Sequence, residues 1–124
     1  MQQTQVLTYG MHGVLAERLR EMAQTRRFWL RETSQFSACQ NLVQSSPPSV
    51  FVLVLGRNLE RELALLEQVH ACMPGTPTIV VGDADHPSLV GLAWELGATF
   101  ALFPPTSVEL ITELVARFLP AAQP

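Results

Sequence analysis

Residues 50–55 read Val50-Phe51-Val52-Leu53-Val54-Leu55, an unbroken run of apolar side chains. Such a run predicts a parallel strand that is covered on both faces of its sheet. Other short apolar runs occur along the chain, and we predict that each forms a strand: residues 6–9, 28–31, 78–81 and 100–103. The run at 28–31 alternates in polarity, which favours a strand at the edge of the sheet.

A pattern with helical spacing follows each of these runs. We predict helices over residues 14–23, 34–45, 59–72, 87–96 and 107–119. Ser34 is the predicted N-cap of the second helix, because serine side chains accept hydrogen bonds from the first turn. In the third helix the predicted inward stripe consists of Leu63, Leu66, Val69 and Cys72. Pro87 fits the first turn of the fourth helix, where proline is accepted.

The alternation of strands and helices with short loops predicts a parallel sheet with helices on both faces. Five such units are too few for an eight-stranded barrel. We therefore predict an α/β fold of three layers, in which a doubly wound five-stranded sheet has the flavodoxin-like order 2-1-3-4-5. We expect residues 1–119 to form this domain, and residues 120–124 to be a linker or C-terminal tail.

The composition excludes several chemistries. The chain has no lysine, so neither Schiff-base catalysis nor a P-loop cation is available. Its net charge of −3 gives no basis for nucleic-acid affinity. The longest apolar run is too short to span a bilayer. No signal-peptide pattern is present, and Cys39 and Cys72 lack metal-ligand spacing. We therefore expect a cytoplasmic protein that binds neither nucleic acid nor membrane.

Four segments stand in a recognisable order and spacing. They are residues 48–54 (Pro-Ser-Val-Phe-Val-Leu-Val), 74–81 (Pro-Gly-Thr-Pro-Thr-Ile-Val-Val), 96–98 (Leu-Gly-Ala) and 103–105 (Phe-Pro-Pro). They resemble the P-D-L-V-L-L-D, T-P-V-I-V-L-T, A-G-A and L-K-P-F segments of the receiver domains of bacterial response regulators, which act in two-component signal transduction. Among the scaffold matches, Pro105 corresponds to the family's proline after a cis peptide bond.

The resemblance also implies where functional residues would stand, and this chain lacks them. The family's phosphorylated aspartate corresponds to Val54, and its acidic Mg²⁺-binding pair corresponds to Gly10 and Met11 with His12. Its hydroxyl residue corresponds to Gly82, its aromatic switch residue to Ala101 and its lysine to Pro104. Valine cannot be phosphorylated, and glycine and methionine cannot hold Mg²⁺. We therefore predict a degenerate pseudo-receiver that is not an enzyme and binds no metal or cofactor.

Other candidate sites depend on loop residues near the carboxyl ends of the strands. Asp83, Asp85 and His86 are metal-ligand types, but we predict that they cap the helix beginning near Pro87. A hydrolase or metal enzyme built on them is the least favoured reading. The glycine-rich loop at residues 10–13 lacks a phosphate-binding pattern. As the main alternative we keep a small-molecule sensor with its ligand in the crevice lined by His12, Gly56, Asp83 and Pro104.

The helix over residues 87–96 is apolar nearly all round and carries one charge, Glu95. A helix on a sheet needs only one apolar stripe, so we predict that Leu89, Leu92 and Trp94 form an interface. The charged fraction of the chain, 15%, is low and supports a partner surface. By resemblance, this face would contact a partner protein, a downstream output domain or a second copy in a homodimer. The predicted function is phosphorylation-independent signalling or transcription control through protein contacts.

Overall fold

Strands and helices alternate strictly in the computed structural model, which describes residues 4–45, 48–56, 58–82, 87–104 and 106–119. The strands are β1 (Gln5–Tyr9), β2 (Trp29–Thr33), β3 (Val50–Val54), β4 (Thr78–Val81) and β5 (Phe100–Leu102). The helices are α1 (Gly13–Arg26), α2 (Phe36–Ser45), α3 (Leu59–Cys72), α4 (Pro87–Glu95) and α5 (Val108–Phe118).

The strands form one parallel sheet in the order β2-β1-β3-β4-β5. This confirms the predicted doubly wound α/β fold and its strand order. Every residue of β3 and β4 is buried, as expected for strands inside a sheet with helices on both faces. Strand β2 lies at the edge and keeps exposed positions, and its Glu32 accepts two hydrogen bonds of 2.8 Å from Arg20 of α1.

Alternate residues of each strand supply two hydrophobic layers, one on each face of the sheet. Val6, Val52 and Ile79 pack in the layer covered by α1 and α5. Leu7 and Phe51 pack in the opposite layer, which is covered by α2, α3 and α4. The sheet is therefore the middle of three layers, and the loops that follow the strands gather at its carboxyl edge.

Helices α3 and α4 begin where predicted, and the starts of α1, α2 and α5 differ by one or two residues. Asn58 caps α3, since its side chain accepts a hydrogen bond from the Arg61 N–H at 3.4 Å. Ser107 caps α5 through the Leu110 N–H at 3.2 Å. The predicted cap of α2 was wrong, because that helix begins at Phe36 and Ser34 is therefore not the residue directly before it.

The predicted inward stripe of α3 was half wrong. Leu66 and Val69 are fully buried, but Cys72 is exposed and Leu63 is only half-buried. Positions 63, 66, 69 and 72 are three residues apart, and each such step rotates about 60° away from a full turn. The outer members of the series therefore leave the buried face. The residues that complete it are Leu65 and Glu62, the latter a buried carboxylate that the stripe prediction did not include.

Several sequence predictions fall outside the described residues, namely those for Asp83, Asp85, His86, Pro105 and residues 120–124. Within the described ranges, no helix is both long and apolar enough to cross a bilayer.

Candidate functional site

The loop after β1 lies directly against the end of β3. Gly10 has a φ of +77°, and its N–H donates a 3.0 Å hydrogen bond to the Thr33 carbonyl. A Cβ on Gly10 would lie 3.1 Å from the Val54 carbonyl oxygen and 3.8 Å from the Val54 Cβ. Residues other than glycine rarely adopt this backbone conformation. An acidic residue at this position would therefore be strained and crowded.

Val54, at the end of β3, is buried and packs in the layer beneath α1 and α5. Met11 is half-buried and packs against the same layer, while His12 is exposed and its side chain forms no cap bond at the start of α1. Val54 and Met11 therefore bring no acidic group to the end of β3.

The end of β4 is closed by an aromatic ring. A Cβ on Gly82 would clash with Cδ2 and Cε2 of the Phe103 side chain. Phe103 is itself buried and belongs to the core layer beneath α2, α3 and α4. The ring therefore occupies the space that a side chain at position 82 would need. Sequence reasoning identified Gly82 as a missing hydroxyl but did not identify Phe103 as the group that fills its place.

The position matched to the aromatic switch residue, Ala101, is half-buried on β5. Of the predicted crevice residues, Pro104 is half-buried after that strand. Nearby, the Thr106 hydroxyl donates a 2.7 Å hydrogen bond to the Phe103 carbonyl. Gly56 is exposed, and its N–H donates to a Glu62 carboxylate oxygen at 2.8 Å.

The aspartate and histidine cluster at positions 83, 85 and 86 is not among the described residues. Within the part of the chain that the structure describes, no three His, Cys, Asp or Glu side chains are grouped so that they could hold a metal ion.

Three aromatic side chains form an aromatic row that runs from α4 across β5 to α5. The exposed Trp94 ring meets Phe100 edge-on with centroids 6.3 Å apart, and Phe100 lies 6.0 Å from Phe118 of α5. Trp94 is 48% exposed despite this contact. Leu92 is also exposed, whereas Leu89 is half-buried and packs against the core. The structure thus places two of the three predicted interface residues at the surface.

An exposed leucine on α5, Leu110, was not predicted as part of any surface. Helical spacing would not have identified it, because it lies four residues before the buried Leu114 and so on the same side of the helix.

A cleft of about 900 Å³ opens between the starts of α2 and α3 and the end of β1. Its lining residues are Tyr9, Gly10, Ser34, Gln35, Phe36, Ser37, Gln40, Asn58, Arg61 and Glu62. Of the predicted crevice residues that the structure describes, His12, Gly56 and Pro104, none is in this lining. The cleft therefore lies beside the end of β1, on the side of α2 and α3.

Two polar side chains at this cleft are buried. Tyr9 is 8% exposed and Glu62 is 6% exposed. Burial, followed by the negative charge of Glu62, raises the pKa of Tyr9. Helical spacing could have identified Glu62, because it stands four residues before Leu66 and seven before Val69 on the buried stripe.

No protein-family model matches this sequence, and no curated protein matches it. Solved structures do match the fold. A CheY-like receiver domain protein from Methanospirillum hungatei is 11% identical, with 94% of each chain covered and a TM-score of 0.77. Chemotaxis protein CheY4 from Vibrio cholerae is 14% identical, with 95% of this chain and 100% of that chain covered and a TM-score of 0.76.

A third similar structure is HP1043, an orphan response regulator of H. pylori. It is 14% identical, with 94% of this chain and 97% of that chain covered and a TM-score of 0.77. At these identities the likeness establishes the CheY-like, flavodoxin-like fold.

Proposed function

We propose that the chain is a non-enzymatic receiver-like domain of bacterial signal transduction or transcription control that works without phosphorylation. It acts through protein–protein contact. The observation that carries the proposal is that backbone and apolar groups fill the space at the ends of β3 and β4. Gly10 lies against the Val54 carbonyl, and the Phe103 ring covers Gly82.

Phosphoryl transfer to a receiver requires a carboxylate nucleophile, a divalent ion held by acidic residues and a cation for the phosphoryl oxygens. Val54 is an alkyl group packed in the core, so it cannot serve as the nucleophile. Backbone strain and the nearby carbonyl oppose an acidic side chain at Gly10. The Phe103 ring fills the place of the hydroxyl. Steric as well as chemical reasons therefore favour loss of the switch.

Beryllofluoride and Mg²⁺ test this proposal, because together they mimic the phosphoryl group of an active receiver. We expect the amide NMR spectrum of the chain to stay unchanged on titration, whereas a receiver that retains its aspartate shifts in the same buffer. Acetyl phosphate should likewise add no mass. A Mg²⁺-dependent shift centred on Val54 and Gly10 would contradict the proposal.

The aromatic row on α4, β5 and α5 is the proposed contact surface. Trp94 of α4 forms the exposed end of this row, and Phe100 and Phe118 continue it. Aromatic side chains that are partly packed and partly exposed are typical anchors of protein interfaces, because burying them on a partner removes much apolar area from water. A partner protein, an output domain of the same polypeptide or a second copy could each cover this surface.

Solution mass decides among these partners. If the surface pairs two copies, the native chain should be a dimer and Trp94→Ala should shift it to a monomer. If the surface contacts another protein, both should be monomers, and Trp94→Ala should weaken binding of that protein. Trp29→Ala is the matched control, since Trp29 is 47% exposed but lies on β2 at the opposite edge of the sheet. Equal effects of the two substitutions would contradict this assignment.

Ligand sensing is a second candidate function, and the open cleft favours it. The cleft lies beside β1, and in open parallel sheets ligands bind outside the carboxyl ends of the strands. Compared with the crevice that the sequence suggested, this site is shifted towards α2 and α3.

A further inference from the structure

The cleft lined by Tyr9 and Glu62 contains two buried polar groups with few partners. The Glu62 carboxylate accepts one hydrogen bond, from the Gly56 N–H, although a carboxylate offers about four acceptor positions. Within the described residues, no cationic side chain forms an ion pair with it. The Tyr9 hydroxyl has no hydrogen-bond partner in the same part of the chain.

Among the described residues, the buried side-chain oxygen without a partner is that of Thr8, so the Tyr9 hydroxyl and the free Glu62 oxygen still reach solvent. Both groups line an open cleft of about 900 Å³ and not a sealed core. A bound molecule can therefore reach them and take the place of solvent. An organic cation suits both, because an ammonium group donates three hydrogen bonds and carries the charge that opposes the carboxylate.

The rim of the cleft carries positive charge, opposite to the charge of the Glu62 carboxylate. The Arg61 guanidinium carbon lies 5.9 Å from the centroid of the Phe36 ring and so stands at the α2 side of the cleft. Helix α2 begins at Phe36 and has no acidic residue in its first turn. Its partial positive charge therefore adds to that of Arg61. A carboxylate is favoured at this rim, whereas the floor favours a cation.

We propose that this cleft binds a small zwitterion of the α-amino acid class. The ammonium group lies at the floor between the Glu62 carboxylate and the Tyr9 hydroxyl, and the carboxylate pairs with Arg61 at the rim. Because the cleft is open and much wider than an amino-acid head group, the ligand side chain faces solvent. We therefore expect recognition of the head group with little selection among side chains.

The site stands beside β1, at the point where the strand order reverses. Strand β1 pairs with β2 on one side and with β3 on the other, and Tyr9 is its last residue. Chain connections diverge at such a switch point and leave room for a ligand. The Tyr9 hydroxyl oxygen can accept a hydrogen bond from the ammonium group.

Calorimetric titration of the full chain tests the proposal with matched probes. L-alanine and L-leucine carry both head groups, ethylamine lacks the carboxylate, and propionate lacks the ammonium group. We expect saturable binding of both amino acids with similar dissociation constants, and binding at least tenfold weaker for the two half-ligands. Ethylamine binding as tightly as alanine would overturn the role of Arg61. No saturation by either amino acid at about 10 mM would overturn the site itself.

Two variants and one control test which side chains contribute to binding. Glu62→Gln keeps an oxygen that can accept the Gly56 N–H but removes the charge, so alanine should bind at least tenfold more weakly. Glu60→Gln makes the same change on an exposed residue in the same helical turn and should leave binding unchanged. Tyr9→Phe keeps the ring and should weaken binding severalfold. Unchanged affinity in both Glu62→Gln and Tyr9→Phe would refute the proposal.

Circular dichroism of each variant separates lost binding from lost folding. The result is independent of the proposed protein contact, because the cleft lies by α2 and α3 and the aromatic row lies on α4, β5 and α5.

Discussion

Substitution of Gly82 by alanine should destabilise the protein, although alanine is the smallest possible addition. The new Cβ would clash with the Phe103 ring, so the ring must move from its buried position. Full burial of a phenylalanine contributes about 1.5–3 kcal/mol, and overpacking a core costs about 1–3 kcal/mol. Alanine restricts the unfolded chain and returns about 0.4–1 kcal/mol. We therefore expect a net loss of about 1–3 kcal/mol.

The origin of this loss can be isolated with a double-mutant cycle. Phe103→Ala removes the ring and by itself should cost about 3–5 kcal/mol. In that background Gly82→Ala meets no ring, so it should be neutral or stabilising by about 0.4–1 kcal/mol. The two substitutions should therefore couple strongly, as residues in contact do.

Urea unfolding followed by tryptophan fluorescence measures each free energy of unfolding. Gly91→Ala is the control, because Gly91 lies in α4 and a Cβ there meets no atom within 4 Å. It should stabilise the protein by about 0.5–1 kcal/mol. If Gly82→Ala costs the same with and without the Phe103 ring, the idea that this ring closes the end of β4 is refuted. A neutral Gly82→Ala in the native background would refute it as well.

Three further predictions concern the loop after β1, the aromatic row and the cysteines. Gly10→Ala should cost about 1–3 kcal/mol in urea unfolding, more than Gly13→Ala, because both have positive φ but only Gly10 faces a carbonyl oxygen at 3.1 Å. Trp94→Ala should cost less than about 2 kcal/mol in the same assay, because the ring is half-exposed, while it weakens protein contact. The exposed thiol of Cys72 should react rapidly with a disulfide reagent while buried Cys39 does not. Burial raises the pKa of Cys39 above its usual 9.0, so the folded state holds this proton more tightly than the unfolded state. The resulting stability is present below pH 9 and is lost as pH rises above it, and Cys39→Ala should reduce that loss.

The fold was predictable because it rests on local periodicity. An apolar run such as residues 50–55 is incompatible with an exposed strand, and helical patterns between such runs leave few topologies open. The alternating polarity of residues 28–31 was enough to predict that this strand lies at the edge, as the structure confirms. Errors occurred where spacing by three residues was continued too far along α3, which placed Cys72 inside and overlooked Glu62.

The candidate sites were less predictable, because each depends on residues far apart in the sequence. Position 82 could be read as a missing hydroxyl, but nothing local indicates that the Phe103 ring covers it. Trp94 and Leu92 were identified from an excess of apolar residues on one helix, whereas Leu89 turned out to pack on the core. The cleft at Tyr9 and Glu62 had no sequence motif at all.

By itself, the sequence determined the alternation of strands and helices and the strand order, and it shows that residue 54 is valine and that the chain has no lysine. These follow from the order of apolar and polar residues and from residue identity, which are properties of the chain alone. Only the tertiary structure decided that the Phe103 ring covers Gly82, that Trp94 is exposed and that a cleft opens beside Tyr9 and Gly10. Burial and steric contact arise between residues brought together by folding, so no local pattern encodes them.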